Sequence, residues 1–348
     1  MYKKFFGING FGRIGRAIFR KALERGDFEI PVINDINSDN NNLAYQLKYD
    51  SIYGVLPLEI KGNEEGIVVN GKQYKVFHFK KINEVPWGGV DCVIDSSGIK
   101  ENLSDAKKLI EQGIKYTIVT NSPDEIFLDR SVIIGVNEEE IDFKKDKIIS
   151  SSICDATAFA PVIKLLDSAY GVEHGFLTTI HPWLQHQHLL DGASISWSKP
   201  GQINPGYEEG RASTFSLLPK PTSCVSATCK ILKSLKGKFE CFSYRAPTPI
   251  VSTANIHIKL KEHPSKEQII ALFTEAEKKQ RWKIFSNNFD PLVSIDFKGN
   301  EHSAIVDHRW TTINEFGYAR LVLWYDNEQG YSSRVLDLAD YLLSNQKV

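Results

Sequence analysis

The 348-residue sequence lacks the features that mark several classes of protein. Its 42 Lys and Arg residues are balanced by 43 Asp and Glu residues, so it has no positive excess of the kind that duplex nucleic-acid binders use against phosphates. It has no apolar run of about 18 residues that could span a membrane, and we expect no targeting segment. Five cysteines form a sparse, odd set rather than a disulfide framework, so we expect a reducing cytoplasm.

What is present indicates a folded chain with two domains. Apolar residues make up 42% and charged residues 24%, which is typical of globular proteins, and the length fits two domains of roughly 150 residues. Strand and helix patterns alternate in the first half, which predicts parallel βαβ units. We therefore expect an α/β fold: a doubly wound parallel sheet over residues 1–152, completed by a C-terminal helix at 331–348, and an α+β domain over 153–330.

The individual elements follow from apolar spacing. In the first domain we predict strands at 4–9, 28–34, 90–94, 116–120 and 131–136, and helices at 13–25, 42–48 and 103–112. The pair Asn70-Gly71 within 58–76 predicts an antiparallel hairpin. In the second domain we predict helices at 159–170, 226–236, 266–279 and 331–344, strands at 175–180, 250–260, 303–307 and 318–325, and a long loop at 192–210.

A glycine-rich turn joins the first predicted strand to the first predicted helix. Such glycines allow a tight turn and a close approach to a pyrophosphate, whose oxygens the helix N-terminus binds, although they can also serve the turn alone. Asp35 follows the second strand, where a carboxylate binds a ribose diol and repels a 2′-phosphate, which favours NAD over NADP. The expected NAD-binding residues of this Rossmann-type turn are Gly10, Phe11, Gly12, Arg13, Ile14, Gly15 and Asp35.

Short motifs along the chain resemble the phosphorylating glyceraldehyde-3-phosphate dehydrogenase family. They are NGFGRIGR at 9–16, ND at 34–35, YDS at 49–51, TTIH at 178–181, RAPTP at 245–249 and WYDNE at 324–328. Residues 161–167 and 302–307 also resemble the erythrose-4-phosphate dehydrogenase branch of that family. The resemblance implies NAD as cofactor, with Thr120 and Asn327 among its contacts, a small phosphorylated aldehyde as substrate, and a homotetramer.

Cys154 is the candidate nucleophile. It lies between a predicted strand and a predicted helix, where the helix N-terminus favours a thiolate that can attack an aldehyde carbon. On position alone a cysteine is more often a small buried residue, but the family's nucleophile falls on Cys154 and its base on His181. The remaining cysteines are interpreted as structural: Cys92, Cys224, Cys229 and Cys241.

The resemblance implies a definite reaction sequence. Cys154 adds to the aldehyde to form a thiohemiacetal, and His181 removes the hydroxyl proton as a hydride leaves for the nicotinamide. Asn327 fixes the nicotinamide carboxamide, and a thioester remains on Cys154. Phosphate or water then releases the acyl group.

Two positions depart from the family pattern. The family usually has Ser-Cys-Thr-Thr-Asn at the nucleophile, whereas Asp155 follows Cys154 here, and a carboxylate repels phosphate and raises a thiol pKa if it faces the sulfur. Leu184 stands where the family has a phosphate-binding threonine. We therefore hypothesise that water is the acyl acceptor and that the aldehyde differs from glyceraldehyde 3-phosphate. Retained substrate-site positions are Arg211, Thr222 and Arg245.

Other classes of function stay open at this point. A non-catalytic NAD-binding paralogue could lose the phosphate positions, but it would not need Cys154, His181 and Asn327 together. An RNA-binding protein is disfavoured by the neutral charge balance. His186 and His188 could share a zinc ion if they lie on a strand, but no third ligand is evident nearby, and we predict no metal site.

Overall fold

A computed structural model describes residues 3–194 and 202–345. Within those residues the chain forms two compact units. The first is Met1–Val132, Asn137–Ser152 and Ser332–Val348, and the second is Ile133–Val136 and Ile153–Tyr331. The predicted loop at 192–210 lies partly outside the described residues.

The first unit is built on a mainly parallel sheet. The strands of this sheet are β1 (Lys4–Asn9), β2 (Phe28–Glu29), β3 (Val32–Asn34), β6 (Ile60–Asn63), β7 (Gly66–Val69), β8 (Lys72–Phe77), β9 (Cys92–Asp95), β10 (Tyr116–Val119), β11 (Arg130–Ser131) and β12 (Ile148–Ser150). Two further strands, β4 (Tyr49–Asp50) and β5 (Gly54–Val55), form a separate antiparallel pair. The helices of this unit are α1 (Arg13–Arg25), α2 (Asn40–Lys48) and α3 (Glu101–Glu111), with short 3-10 turns at Ile82–Glu84, Glu125–Phe127 and Glu138–Glu140.

The strand order confirms a doubly wound sheet. Parallel pairing runs through β11, β12, β10, β9, β1, β3 and β8, and β7 and β6 extend the sheet in antiparallel fashion. The chain winds in opposite directions from β1, which is the position at which ligands bind in open α/β sheets. The central strand is apolar on both faces because helices cover it, and its Phe6 and Ile8 are fully buried.

The predicted hairpin is confirmed. β7 and β8 pair in antiparallel register, and the turn between them places Asn70 at φ 48° and Gly71 at φ 80°. Both values lie in the left-handed region, which a two-residue hairpin turn requires and which Asn and Gly adopt most readily. Short-range turn chemistry therefore determines this part of the sheet.

The second unit contains a mixed sheet covered by helices. Its strands are β13 (Val172–Pro182), β14 (Leu218–Lys220), β15 (Phe239–Ala246), β16 (Ser252–Leu260), β17 (Phe285–Asn288), β18 (Ala304–Asp307), β19 (Thr312–Ile313) and β20 (Tyr318–Tyr325). Its helices are α4 (Cys154–Tyr170), α5 (Cys224–Ile231) and α6 (Lys266–Lys279), with 3-10 turns at Tyr207–Gly210, Lys233–Leu235 and Ser294–Phe297.

Three strands of this sheet run in the same direction. The order is β14, β15, β13, β16, β20, β18 and β17, with β19 on β20. β13 is parallel to β15, and both β13 and β20 are antiparallel to β16. The carboxyl ends of β13, β15 and β20 therefore lie at one edge of the sheet, where residues distant in sequence meet.

Several predicted elements are wrong in detail. The predicted strand at 131–136 is a strand only at Arg130–Ser131, and Ile133–Val136 belongs to the second unit. The predicted strand at 28–34 is divided between β2 and β3, since Pro31 interrupts it. β15 and β17 were not predicted, because their mixed polar and apolar residues carry no clear alternation. Cys241, interpreted as structural, lies within β15.

The C-terminal helix α7 (Gln329–Ser344) contacts the first unit from Ser332 onward. Asp337 accepts a hydrogen bond from Arg25 of α1 at 2.8 Å, and Asp340 pairs with Lys4 of β1. No helix in the described part of the chain is long and apolar enough to cross a membrane. The cysteines at 92, 154, 224, 229 and 241 are all free thiols.

We predict that Gly15→Ala destabilises the protein by about 2–3 kcal/mol, because the new methyl group would overlap backbone atoms, which cannot move aside as a side chain can. A Cβ on Gly15 would clash with the carbonyl oxygen of Gly10. Gly12→Ala is the matched control, since a Cβ there meets nothing within 4 Å, and it should cost less than about 1 kcal/mol. Urea unfolding of both variants measures the difference, and equal stabilities would contradict this packing constraint.

Candidate active site

The glycine turn of the first unit leaves the start of α1 open. Gly10 adopts φ 88°, and a Cβ at that position would strike the backbone of Ser96 and Ser97. Within this described stretch, the N-cap residue Gly12 has no side-chain cap and the first turn of α1 has no acidic residue. This end of α1 therefore favours an anion such as a phosphate, and a Cβ on Gly12 would meet nothing within 4 Å.

Asp35 is held directly beside this turn. Its Oδ2 accepts a hydrogen bond from the backbone N–H of Phe11 at 2.6 Å, and its Oδ1 accepts one from Asn37 at 2.8 Å. Arg13 pairs with Asp50 at 3.2 Å, and Ile14 is partly buried in the first turn of α1. The carboxylate thus has a fixed orientation at the carboxyl end of β3, as recognition of a ribose diol requires.

Thr120 lies just beyond β10 at the same edge of the sheet. Its hydroxyl donates to the carbonyl of Asp95 at 3.1 Å. Asp95 in turn accepts from Asn9 at 2.9 Å, and Asn34 donates to Asn9 at 2.8 Å. This buried polar network joins the carboxyl ends of β1, β3 and β9 and gives the edge a rigid floor.

In the second unit, α4 and β13 bring Cys154 and His181 together. Cys154 is the first residue of α4, and His181 lies at the end of β13 with its Nε2 3.7 Å from the Cys154 Sγ. The Nδ1 of His181 is 2.9 Å from the carbonyl oxygen of Pro182, which can only accept. Nδ1 therefore carries the proton, and Nε2 faces the sulfur as a base.

Asp155 faces the same sulfur. Its Oδ1 lies 3.6 Å from the Cys154 Sγ and accepts a hydrogen bond from the Tyr325 hydroxyl at 2.8 Å. Its Oδ2 lies 3.4 Å from the Thr222 hydroxyl. Tyr325 ends β20 and is only 2% exposed. Sequence reasoning missed Tyr325, although the WYDNE motif contains it, because only the sheet register brings it to Asp155.

Burial and Asp155 keep the sulfur protonated. Burial raises the pKa of the Cys154 thiol well above its usual value, the Asp155 charge raises it further, and Arg245 opposes both. Burial, and to a smaller extent the Arg245 charge, lower the pKa of the His181 imidazole to about 4. The resting pair is therefore a neutral thiol and a neutral imidazole. Burial and the Asp155 charge outweigh the stabilisation of a thiolate that we expected from the N-terminus of α4.

Arg245 provides a buried cation beside this centre. It lies near the end of β15, in register with His181, and its Nη1 is buried without a hydrogen-bond partner among the described residues. An unpaired guanidinium of this kind is suited to a negatively charged group on a substrate. Lys220, which ends β14 and pairs with Glu209 at 2.8 Å, adds a second cation that sequence reasoning did not single out.

Two other predicted substrate residues are engaged elsewhere. The Arg211 side chain is 67% exposed, and its Nε donates to Asp191 at 3.0 Å. Leu184 lies in the turn after β13, where its N–H donates to the Gln187 side chain at 2.7 Å. Of the predicted substrate-site residues, the structure therefore brings Asp155, Thr222 and Arg245 together around Cys154.

The metal question concerns different residues from those considered first. His186 and His188 lie in the irregular segment after β13, not on a strand, so the premise of alternating ligands on one face is wrong. Cys154, Asp155 and His181 offer one ligand atom each, all within 4.8 Å of one another. Their residue types suit zinc, but the buried Arg245 guanidinium beside them opposes a metal cation.

Comparison with known proteins identifies the family. The model of the glyceraldehyde 3-phosphate dehydrogenase NAD-binding domain matches residues 5–103, and that of the C-terminal domain matches residues 153–327. Glyceraldehyde-3-phosphate dehydrogenase 1 of Bacillus cereus is 36% identical over 341 residues, covering 97% of this chain and 98% of the relative. The chain belongs to the glyceraldehyde-3-phosphate dehydrogenase family. The Bacillus subtilis (strain 168) and Borreliella burgdorferi enzymes are 35% and 36% identical, covering 97% of this chain and 97% and 98% of their own.

Family membership makes the chain an NAD-dependent oxidoreductase with a Rossmann-type domain. Asn327 of this chain lies after β20, and its Oδ1 is buried without a hydrogen-bond partner among the described residues. An amide N–H is the group that such an acceptor needs. The glycine turn and the fixed Asp35 carboxylate of the first unit fit the pyrophosphate and ribose of NAD.

We predict that Asp155→Asn accelerates alkylation of Cys154 by iodoacetamide near pH 8, because the thiolate is the form that reacts and its fraction rises when the pKa of the thiol falls. The reason is that the Asp155 charge raises the pKa of the thiol, and its removal lowers that pKa. Mass spectrometry of the Cys154 peptide gives the rate. Asp290→Asn, an exposed change in the same unit, should leave the rate unchanged. Slower labelling of Asp155→Asn would contradict this electrostatic assignment.

Proposed function

We propose that the protein oxidises a small phosphorylated aldehyde with NAD through a covalent thioester on Cys154. The observation that carries the proposal is the unprotonated Nε2 of His181, 3.7 Å from the Cys154 sulfur. A base within reach of a thiol, with its tautomer fixed by a third group, is the arrangement of an activated nucleophile. The matched catalytic domain supports the same reaction class.

The chemistry of the chain's own residues follows from this pair. Nε2 of His181 takes the thiol proton as the sulfur attacks the aldehyde carbon, which forms a thiohemiacetal on Cys154. The depressed pKa of His181 means that its proton is readily released, so the imidazole is a base again when the thiohemiacetal hydroxyl must lose its proton. Loss of that proton, together with loss of a hydride from the carbon that bears the hydroxyl, leaves a thioester on Cys154.

NAD, when bound, accepts the hydride that the aldehyde carbon loses. Gly12, the N-terminus of α1 and Asp35 would hold its pyrophosphate and ribose. Phe11, Ile14, Gly10, Gly15, Arg13 and Thr120 would form the walls of that site.

The substrate class follows from the buried cation. Arg245 suits a phosphate or carboxylate on a small aldehyde, and the relatives' printed name supports a phosphorylated one. Leu184 is not part of the cluster around Cys154, so the proposal of an aldehyde other than glyceraldehyde 3-phosphate is supported only by its standing where the family has a phosphate-binding threonine. The acyl acceptor is phosphate or water. A non-catalytic role is disfavoured because the close Cys154–His181 pair serves no purpose in a binding protein.

We also propose a cytoplasmic homotetramer. The proposal is supported by the family resemblance and by the free state of all the cysteines, which suits a reducing compartment.

We predict that Cys154→Ser lowers NADH formation from glyceraldehyde 3-phosphate or erythrose 4-phosphate at least about 1000-fold, because a hydroxyl is a far weaker nucleophile than a thiol. His181→Gln should lower it about 100- to 10,000-fold, the usual worth of a positioned base. Absorbance at 340 nm, with wild type tested against a panel of aldehydes, measures both. Cys229→Ser on α5 is the control. Undiminished turnover by Cys154→Ser would refute the covalent mechanism.

We predict that Asp35→Asn weakens NAD binding about fivefold, which corresponds to about 1 kcal/mol for one hydrogen bond. The same change should strengthen NADP binding, since the carboxylate no longer repels a 2′-phosphate. Isothermal titration of both dinucleotides gives the two Kd values. A Kd ratio equal to that of the wild type would exclude Asp35 from cofactor selection.

A further inference from the structure

We propose that Asp155 is the general base that activates water to hydrolyse the Cys154 thioester, so that the enzyme releases a free carboxylic acid. The inference rests on the proposed function, because it requires an acyl group on Cys154. It assigns to Asp155 a catalytic role in deacylation and to Tyr325 the role of a positioning residue.

The first argument is that the two carboxylate oxygens of Asp155 make different contacts. Oδ1 is fixed by the Tyr325 hydroxyl at 2.8 Å and lies 3.6 Å from the sulfur. Oδ2 receives, within the described residues, only the longer contact from Thr222 at 3.4 Å. Oδ2 therefore keeps lone pairs that can accept a proton from a water beside the acylated sulfur, which is the geometry that a general base needs.

The second argument is charge. A general base must be present as the carboxylate, and donors favour that form. The Tyr325 and Thr222 hydroxyls both point at the Asp155 oxygens, and the Arg245 guanidinium interacts favourably with the same charge. His181 is oriented toward the sulfur itself, so its role is to exchange the proton of Cys154.

The third argument is the exclusion of phosphate. A phosphate anion that approaches the thioester carbon must come close to the Asp155 carboxylate, which repels it. The Thr222 hydroxyl, at one of the retained substrate-site positions, is directed at the carboxylate. A neutral water meets no such repulsion and can donate a hydrogen bond to Oδ2.

The proposed step balances in atoms and charge. The water oxygen bonds to the thioester carbon, and one water proton passes to the Asp155 carboxylate. The tetrahedral intermediate collapses, the carbon–sulfur bond breaks, and the electron pair leaves with the sulfur. The proton on Asp155 returns to solvent or to the sulfur through His181. The products are a carboxylic acid and the free Cys154 thiol, and no oxidation or reduction occurs in this step.

The decisive test uses p-nitrophenyl acetate without NAD, since an activated ester acylates a nucleophilic thiol directly. Wild type should release a burst of p-nitrophenolate equal to the active sites and then turn over at the deacylation rate. Asp155→Asn should acylate at least as fast, because the thiol becomes more acidic, but deacylate at least tenfold more slowly. Asp290→Asn is the exposed control and should match the wild type.

These opposite effects on the two phases would not arise from a merely structural role. Deacylation of Asp155→Asn at the wild-type rate would overturn the proposal, and so would loss of the burst and of deacylation together. Circular dichroism and thermal unfolding verify the fold, and Asp155→Thr, which restores the family's hydroxyl, provides a second variant. Its acetyl-enzyme should be cleaved by added inorganic phosphate, whereas that of the wild type should not.

Tyr325→Phe tests the positioning role. Loss of the hydroxyl removes the shortest hydrogen bond to Asp155, so the deacylation rate should fall severalfold. The acylation phase should keep its rate, which a merely structural defect would not allow. Deacylation at the wild-type rate would exclude Tyr325 from positioning the base.

The full reaction separates this inference from the proposed function. With NAD, glyceraldehyde 3-phosphate or erythrose 4-phosphate, and water labelled with ¹⁸O, the acid should carry one labelled oxygen and the rate should be independent of phosphate. An obligatory phosphate requirement with an acyl-phosphate product would overturn the water step while leaving the proposed function intact. Failure to form NADH with any aldehyde, despite Asp155-dependent deacylation of the ester, would overturn the proposed function alone.

Discussion

The contact between the Asp155 carboxylate and the Cys154 sulfur is the constraint on which the electrostatics of the candidate active site depend. A buried negative charge is costly unless donors and a cation surround it. The Tyr325 and Thr222 hydroxyls and the Arg245 guanidinium provide that environment. The same carboxylate raises the pKa of the Cys154 thiol, so the nucleophilic attack that we propose needs the base at His181.

The sheet explains how so many distant residues reach one point. His181, Arg245 and Tyr325 lie at or next to the carboxyl ends of strands that run in the same direction, and α4 delivers Cys154 and Asp155 to that edge. The interior of the sheet needs only apolar side chains, whereas its edge can carry polar ones. A rigid scaffold can therefore retain the family fold while the residue after the nucleophile changes the chemistry of acyl release.

The sequence predicted most of the first unit, because its signals are local. The glycine turn, the amphipathic α1 and the Asn70-Gly71 hairpin each depend on residues within a few positions of one another. Elements such as β17 were missed because their strand conformation comes from pairing with β18 rather than from their own residues. The predicted strand at 131–136 was wrong because an apolar run does not specify in which of the two units it is buried, and Ile133–Val136 belongs to the second.

The sequence by itself determined the family motifs and the unusual residue after Cys154, and its resemblance to the family predicted a cysteine and a histidine as nucleophile and base. Only the tertiary structure decided that Asp155 turns toward the sulfur and that Tyr325, 170 residues away, donates to it. The physical reason is that a side chain's charge environment depends on strand register and burial, which arise from contacts between segments far apart along the chain. The sequence identifies the residues, whereas the folded structure determines which of them are neighbours in space.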